Sequence, residues 1–244
     1  MTWPSASDLI HLLPVLHSDS EDDDARDAVL RLYLFLPVVT ADGLHYRSSL
    51  EALQRDARGT GGRDADSGEL LDADHTRSWL SAMGYLALVD QVSKALHVPL
   101  SRKGTTPFEL LLVQSAGLRD DEAAAIYALR CAFVHNYGLR NDPRPRVTDD
   151  DRIRALLHMF SLSATGGPLV QIGDRSFPAD AAVADIERTV VDLRSLGNTV
   201  EALVRSLRDA HVAGAEVSIR RDIRLADFRP SCFFMHRDPI PLAP

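Results

Sequence analysis

A-A-A-I-Y-A-L-R-C-A-F-V, Ala123 to Val134, followed at once by His135, Asn136 and Tyr137, is the stretch on which the fold turns. Arg130 is the one residue of that run that is neither aliphatic, aromatic nor cysteine. Asp120 or Asp121 is a natural start for a helix here, and Gly138 a natural stop. A helix apolar on every side is normally buried. A guanidinium within it stays ionised and must find hydrogen-bonding partners. Three arrangements satisfy it: an ion pair, a bound anion, or a solvent cleft that reaches the helix. An ion pair has Glu109, Asp120 and Asp90 as its candidate acids, and would simply tie helices together while His135 capped the helix's own carbonyls.

Working outward towards the N-terminus, the pattern stays helical. Pro107 starts a helix that runs through Ser115 and ends at Gly117. From Asp74 to about Val98, Trp79, Ala82, Met83, Leu86, Val89, Ser93 and Leu96 share one face before Pro99. Earlier helices are predicted over Asp8–Leu16, Ala25–Leu36 (stopping before Pro37) and Tyr46–Arg58. Ser18–Asp24 carries five acids in seven residues and reads as a solvated loop that feeds a helix N-terminus. Gly59–Gly68 is rich in glycine and charge with nothing to bury, so it reads as a mobile loop; no Gly-Lys-Ser/Thr makes it a phosphate loop.

Towards the C-terminus, Pro143 and Pro145 mark an extended connection. Leu156–Leu162 is expected to pair with Leu169–Ile172 as a β-hairpin across the turn Gly166-Gly167-Pro168, with a helix at 152–160 as the alternative. Val183, Ile186, Val190, Leu193, Gly197, Val200, Val204 and Leu207 form a heptad stripe along a helix from about Asp180 to Ala210. That stripe packs on the body of its own subunit or forms a dimer interface. After Gly214, Glu216–Asp222 has the makings of a small strand, and the proline-bearing tail reads as irregular. The expected division is a helical region over 1–72 with acidic and glycine-rich loops, a helical domain over 73–214, and a tail over 215–244.

Composition bounds the function. The 244 residues are 45% hydrophobic and 25% charged, ordinary for a soluble protein with a proper core. No apolar stretch approaches the ~20 residues of a membrane span. Met1–Asp8 lacks a basic segment leading into an apolar one, so no signal peptide is evident. Cys131 and Cys232 make no disulfide framework. The expectation is a cytoplasmic protein. A net charge of −8 argues against broad, non-specific coating of nucleic acid but leaves room for a local anion site.

Leu129-Arg130-Cys131-Ala132-Phe133-Val134-His135-Asn136-Tyr137-Gly138 resembles the signature of the HEPN (higher eukaryote and prokaryote nucleotide-binding) superfamily. That signature is an Arg, four to six residues, then His, late in a helix of a compact helical bundle. His158–Leu162 is similar to a strand that often follows the motif in bacterial members. The specific match covers about ten residues, a compatible helical pattern extends over 75–210, and residues 1–70 have no counterpart. The resemblance implies a mainly α fold with a small β-hairpin and a long C-terminal helix. It also implies a metal-independent endoribonuclease needing no cofactor, with RNA as substrate and a homodimer that brings two motifs into one cleft. Arg130 and His135 would be catalytic, with Asn136 and Tyr137 on the phosphate. Arg130-x4-His135-x-Tyr137 further resembles HEPN toxins whose tyrosine is adenylylated by a nucleotidyltransferase antitoxin. This implies an antitoxin or defence-system partner and a modification at Tyr137. Other HEPN-like domains bind a nucleotide, RNA or protein without catalysis.

The residue types suit that chemistry by themselves. Cleavage of RNA by its own 2′-hydroxyl needs a proton removed there, one delivered to the leaving 5′-oxygen, and positive charge at the phosphorus. Histidine titrates near neutrality, and arginine offers a permanent forked cation for phosphate oxygens. On a regular helix Arg130 and His135 stand ~140° and ~7.5 Å apart, so the arginine must reach round, the last turn must loosen, or a second subunit must complete the site. The helix dipole favours imidazolium in the last turn by ~0.3–1 kcal/mol when exposed. A competing constellation is Cys131-x-x-x-His135 with Cys232-x-x-x-His236, two i,i+4 pairs of zinc-ligand type. No Gly-x-Ser-x-Gly, His-Glu-x-x-His or dinucleotide-binding fingerprint occurs.

Overall fold

Side chains that accept hydrogen bonds from the backbone set most helix starts. Ser5 caps α1 (Ala6–Leu12), Asp22 caps α2 (Asp23–Phe35), Ser48 caps α3 (Ser49–Thr60), Ser78 caps α4 (Trp79–Ala95) and Thr106 caps α5 (Pro107–Ala116). Each satisfies an amide that the first helical turn leaves without a partner. α5 has the expected signals: Thr106 and Glu109 form a capping box, Pro107 opens the helix, and Gly117 closes it at φ 68°. α6 spans Asp120–Asn136, α7 spans Leu193–Val212 behind its cap Asp192, and α8 is the short Leu225–Phe228. A 3-10 turn, Leu13–His17, continues α1 past Pro14. The computed structural model describes residues 2–71, 78–97, 105–136, 138–141, 158–173, 187–215 and 217–235, with backbone alone at 135, 136, 234 and 235.

The protein is mostly helical with two small sheets. One sheet joins distant parts of the chain: β1 (Val38–Val39), β2 (His45–Ser48) and β7 (Cys232–Met235) lie antiparallel in the order β1-β2-β7. The predicted helix from Tyr46 therefore starts three residues later, because His45–Ser48 pairs with Cys232–Met235 before Ser48 caps α3. The other sheet contains β3 (Arg140–Asn141), β4 (His158–Ser163), β5 (Val170–Gln171) and β6 (Thr189–Asp192) in the order β3-β4-β6-β5.

The second sheet corrects two expectations. No β4–β5 hairpin forms. β6 lies between them, parallel to β4 with Phe160 opposite Thr189, and antiparallel to β5 with Val170 opposite Val191. Thr189-Val190-Val191 is β-branched throughout and suits the half-buried pleat better than a helix interior. Phe160 and Val191 are fully buried there. The C-terminal helix accordingly starts at Leu193 rather than near Asp180, while Val183 and Ile186 lie outside the described residues. The helix alternative at 152–160 fails from His158 onward, since that residue opens β4.

α7 settles what its stripe does. Leu193, Leu196, Val200, Leu203, Val204 and Leu207 are buried against the chain's own body, with α4 and α5 as the main neighbours. Gly197 lets α7 approach α4: a Cβ there would stand 3.1 Å from the Tyr85 ring. From Leu193 to Leu207, the described part of the stripe packs within the subunit.

One hydrophobic cluster draws on all parts of the chain, including Leu9, Leu30 and Leu50, Leu86 and Leu112, and Leu225 and Cys232. Ile219, in the stretch expected as a small strand, makes one isolated antiparallel bridge to Leu96, and Phe228, in the tail expected to be irregular, packs edge-on against Tyr33. The Gly59–Gly68 turn is pinned: Arg58 donates to the carbonyls of Ala65 and Asp66, and Arg63 to that of Gly68. No helix among the described residues is long and apolar enough to cross a membrane.

Candidate functional site

α6 is buried on most of its circumference. Ala123, Ala124, Ala125, Ile126, Ala128, Leu129, Ala132 and Phe133 are all in the core. Tyr127, Arg130, Cys131 and Val134 are not fully covered. These four stand at i, i+3, i+4 and i+7, which is one helical face. The apolar run therefore has a single accessible stripe in the described part of the helix, and Arg130 stands in the middle of it. The sequence could not show this, since alanine and leucine surround the arginine on both sides.

The Arg130 guanidinium reaches from α6 to α4. One terminal nitrogen lies 3.0 Å from Asp90 Oδ1. Asp90 Oδ2 accepts from Lys94 Nζ at 2.6 Å, so one carboxylate stands between two cations. The Arg130 side chain is 16% exposed, and its Nε is buried without a hydrogen-bond partner among the described residues. Burial works against its charge, but the Asp90 carboxylate outweighs burial and holds the guanidinium pKa above its usual value. Of the acids expected to neutralise Arg130, Asp90 does so, while Glu109 serves the α5 capping box. Lys94 was overlooked, although its i,i+4 spacing from Asp90 is legible. The three groups together carry one net positive charge at the edge of the helix pair.

The neighbours on the stripe are chemically soft. Tyr127 packs against Phe108 with ring centroids 5.6 Å apart. Burial, then Cys131 alongside, pushes its phenol up to about 12, so it stays a neutral hydroxyl. Trp79, at the start of α4, lies against Phe133 with centroids 4.5 Å apart, which fixes the end of α6 to α4. His135 and Asn136 form the last turn of α6. Their side chains, and Tyr137 altogether, lie outside the described residues, so the sequence-predicted quartet is placed at a helix end but only Arg130 has a described side-chain geometry.

The segment after the helix is tied back to it. The Gly138 amide donates to the Ala132 carbonyl at 3.3 Å, and the Phe160 amide to the Leu139 carbonyl at 2.6 Å. β3 then pairs with β4, so the strand expected at His158–Leu162 follows the motif helix in space as well as in sequence. His158 is fully buried, stacked on Phe160, with Nδ1 2.9 Å from Thr189 Oγ1. Thr189 Oγ1 also accepts from the Gly173 amide at 3.1 Å. This is a satisfied core histidine that anchors β4 to β6.

The zinc constellation gains little. Among the described residues no group of three or more His, Cys, Asp or Glu is arranged to hold a metal ion. Cys232 is buried in β7, where burial alone pushes its thiol up to about 12. His236 lies outside the described residues. The chain matches no protein-family model, no curated protein and no solved structure.

Proposed function

We propose that the chain is a HEPN-like, metal-independent endoribonuclease in which Arg130 and His135 act on the phosphate and the 2′-hydroxyl. The observation that carries this reading is the placement of Arg130. Among the described residues it is the one cation on the accessible stripe of this largely buried helix and its Nε has no hydrogen-bond partner, and it lies five residues before a histidine in the last turn. Asp90 holds the guanidinium in a fixed direction, as a preorganised phosphate ligand requires. Lys94 leaves the cluster net positive despite that carboxylate. In this reading Asn136 and Tyr137 serve as phosphate ligands, and a second copy of α6 would complete the proton-transfer set. Tyr137 in this reading is also where adenylylation by an antitoxin partner would block the phosphate site.

The test uses labelled single-stranded RNA in EDTA. Cleavage that leaves a 2′,3′-cyclic phosphate, and that is lost in Arg130→Ala and in His135→Ala, is the expected result. Arg130→Lys keeps the charge but not the fork, and should lose about tenfold or more in rate. Light scattering should give a dimer.

The Asp90 contact favours a second reading, in which α6 belongs to a non-catalytic helical module and Arg130 ties it to α4. On that reading wild-type protein leaves varied RNAs uncut. Arg130→Lys then behaves as wild type in thermal unfolding, because a lysine still pairs with Asp90.

A further inference from the structure

A charged cavity lies away from Arg130, between the C-terminal end of α2, α3, α7 and the Gly59–Gly68 turn. A cavity of about 390 Å³ opens there, lined among others by Trp3, Phe35, Glu51, Arg58, Arg205 and Arg208. Its acids are already used. Glu201 accepts from Arg58 through both oxygens, at 2.7 and 2.6 Å, from Gln54 at 2.6 Å and from Tyr85 at 3.2 Å. Arg58 spends its remaining nitrogen on the Ala65 and Asp66 carbonyls. Asp66 pairs with Arg55, and Glu51 lies 3.5 Å from Arg55 and 3.8 Å from Arg47. Glu51 Oε2 is buried, with no hydrogen-bond partner among the described residues.

Two cations are left over. Arg208 donates through Nε to the Leu34 carbonyl at 2.6 Å, its one hydrogen bond among the described residues. Arg205 is exposed and makes no hydrogen bond or ion pair among the described residues. The lining holds three arginines (58, 205 and 208) and three acids (51, 66 and 201), but Arg47 and Arg55 pair with Glu51 and Asp66 from outside it and Asp209 is engaged by Trp3. Burial, with Arg58 as a like-charged neighbour, lowers the Arg208 guanidinium to about 10. The aromatic wall is equally defined. Trp3 is 47% exposed, packs edge-on against Phe35 at 5.9 Å, and lies 5.5 Å from the Arg208 guanidinium carbon. Its indole N–H is held by Asp209 at 2.8 Å, which fixes the ring in place.

We infer that this cavity is a binding site for a small molecule carrying one anionic group beside a planar ring, with Arg205 and Arg208 on the anion and Trp3 and Phe35 along the ring. The volume falls in the range of small-molecule sites, about 300–1,000 Å³. Forked guanidinium donors serve phosphate and carboxylate alike. Indole and phenyl surfaces favour a stacked or apolar ring. The inference is independent of the Arg130 reading and shares no residue with it.

Calorimetric titration with adenosine 5′-monophosphate, benzoate and inorganic phosphate tests it. A ring-bearing anion should bind at least about tenfold more tightly than inorganic phosphate, and the better of the two identifies phosphate or carboxylate as the source. Arg205→Gln and Arg208→Gln should each weaken that ligand by about tenfold or more, the range for a lost charge-assisted bond. Arg205 is exposed, so its variant keeps the fold even where Arg208→Gln loses the Leu34 contact. In a Trp79→Phe background, Trp3 is the remaining tryptophan, and its emission should change on binding. Arg130→Ala should leave the affinity unchanged. Binding that is insensitive to both arginine variants, lost in Arg130→Ala, or no tighter for either ring-bearing anion than for phosphate, would overturn the inference. So would the absence of any binding.

Discussion

A charge placed inside a packed helix pair is tolerated only while its partner is present, and Arg130 with Asp90 is such a pair. Both side chains keep some access to solvent, at 16% and 21%, so the pair is worth less than a fully buried one. A double-mutant cycle of Arg130→Ala and Asp90→Asn in urea should return a coupling of about 0.5–1.5 kcal/mol. A value indistinguishable from zero would mean that the contact is incidental and that Arg130 is held by something else. Asp192 offers a second test at this scale. Burial would raise its carboxyl, but amide donors from Ser195 at 2.9 Å and Gly166 at 3.1 Å outweigh burial and hold it below the usual carboxylate value. Folded Asp192 is thus more acidic than unfolded Asp192. Its stabilisation is complete above the unfolded value of ~3.9 and drains away as pH falls through the lower folded value. Asp192→Ala should cost about 1–2 kcal/mol at pH 7, as for other lost helix caps. The gap between variant and wild type should close in acid melts. A gap that persists unchanged at pH 2 would show that the carboxylate is not its origin.

Elements were legible where the backbone's ends are satisfied by nearby side chains. α2, α4, α5 and α6 carry their caps, prolines and stop signals within a few residues, and each was placed to within a turn over its described part. The strands were not legible in the same way, because a strand's partner can lie far along the chain. Val190 fits a heptad stripe as well as a strand, and only the burial of Phe160 and Val170 on either side of β6 decides between them. β7 gave no signal, since its pairing with β2 joins residues almost 190 positions apart. For the site, sequence found Arg130 and its candidate acid Asp90 but not the stripe that exposes it. It missed the Arg205–Arg208 cavity, whose arginines come from α3 and α7 and whose aromatic wall comes from the chain's first residues and α2. Gly173 tests the β5–β6 arrangement itself. A Cβ there would lie 2.5 Å from the Glu187 oxygen and the Arg188 carbonyl carbon, both backbone atoms that cannot swing aside. Gly173→Ala should therefore cost about 1–3 kcal/mol, as overpacking does, with faster amide exchange confined to β4–β6. A neutral outcome by thermal melt would be incompatible with the close approach of these two segments.

At the scale of the molecule, the stretch after Gly214 closes the structure rather than trailing from it. Ile219, Leu225, Phe228 and Cys232 are all buried, at 2%, 0%, 5% and 6%. Arg26 on α2 donates to the Arg220 and Ile223 carbonyls, and Glu21 accepts from the Leu225 and Ala226 amides. β7 supplies the edge on which β2 is paired. Full burial of a large apolar side chain contributes about 1.5–3 kcal/mol, so these residues together are worth roughly 5–10 kcal/mol. The net stability of a domain is only about 5–15 kcal/mol. Truncation after Gly214 should therefore leave a chain without a cooperative thermal transition, showing reduced helicity by circular dichroism and aggregation on gel filtration. The full-length variant Leu225→Ala/Phe228→Ala isolates packing from chain length and should lose about 5–10 kcal/mol by the cavity cost of two such deletions. If the truncated chain melted sharply within a few degrees of the intact one, helices α1–α7 would have to form a self-sufficient core, and the Tyr33–Phe228 contact and the β2–β7 pairing would be surface additions. Tyr33 argues against that outcome. It is fully buried, its hydroxyl has no hydrogen-bond partner among the described residues, and Phe228 covers its ring at 5.1 Å, so exposing that side of α2 would leave a large apolar face open to water.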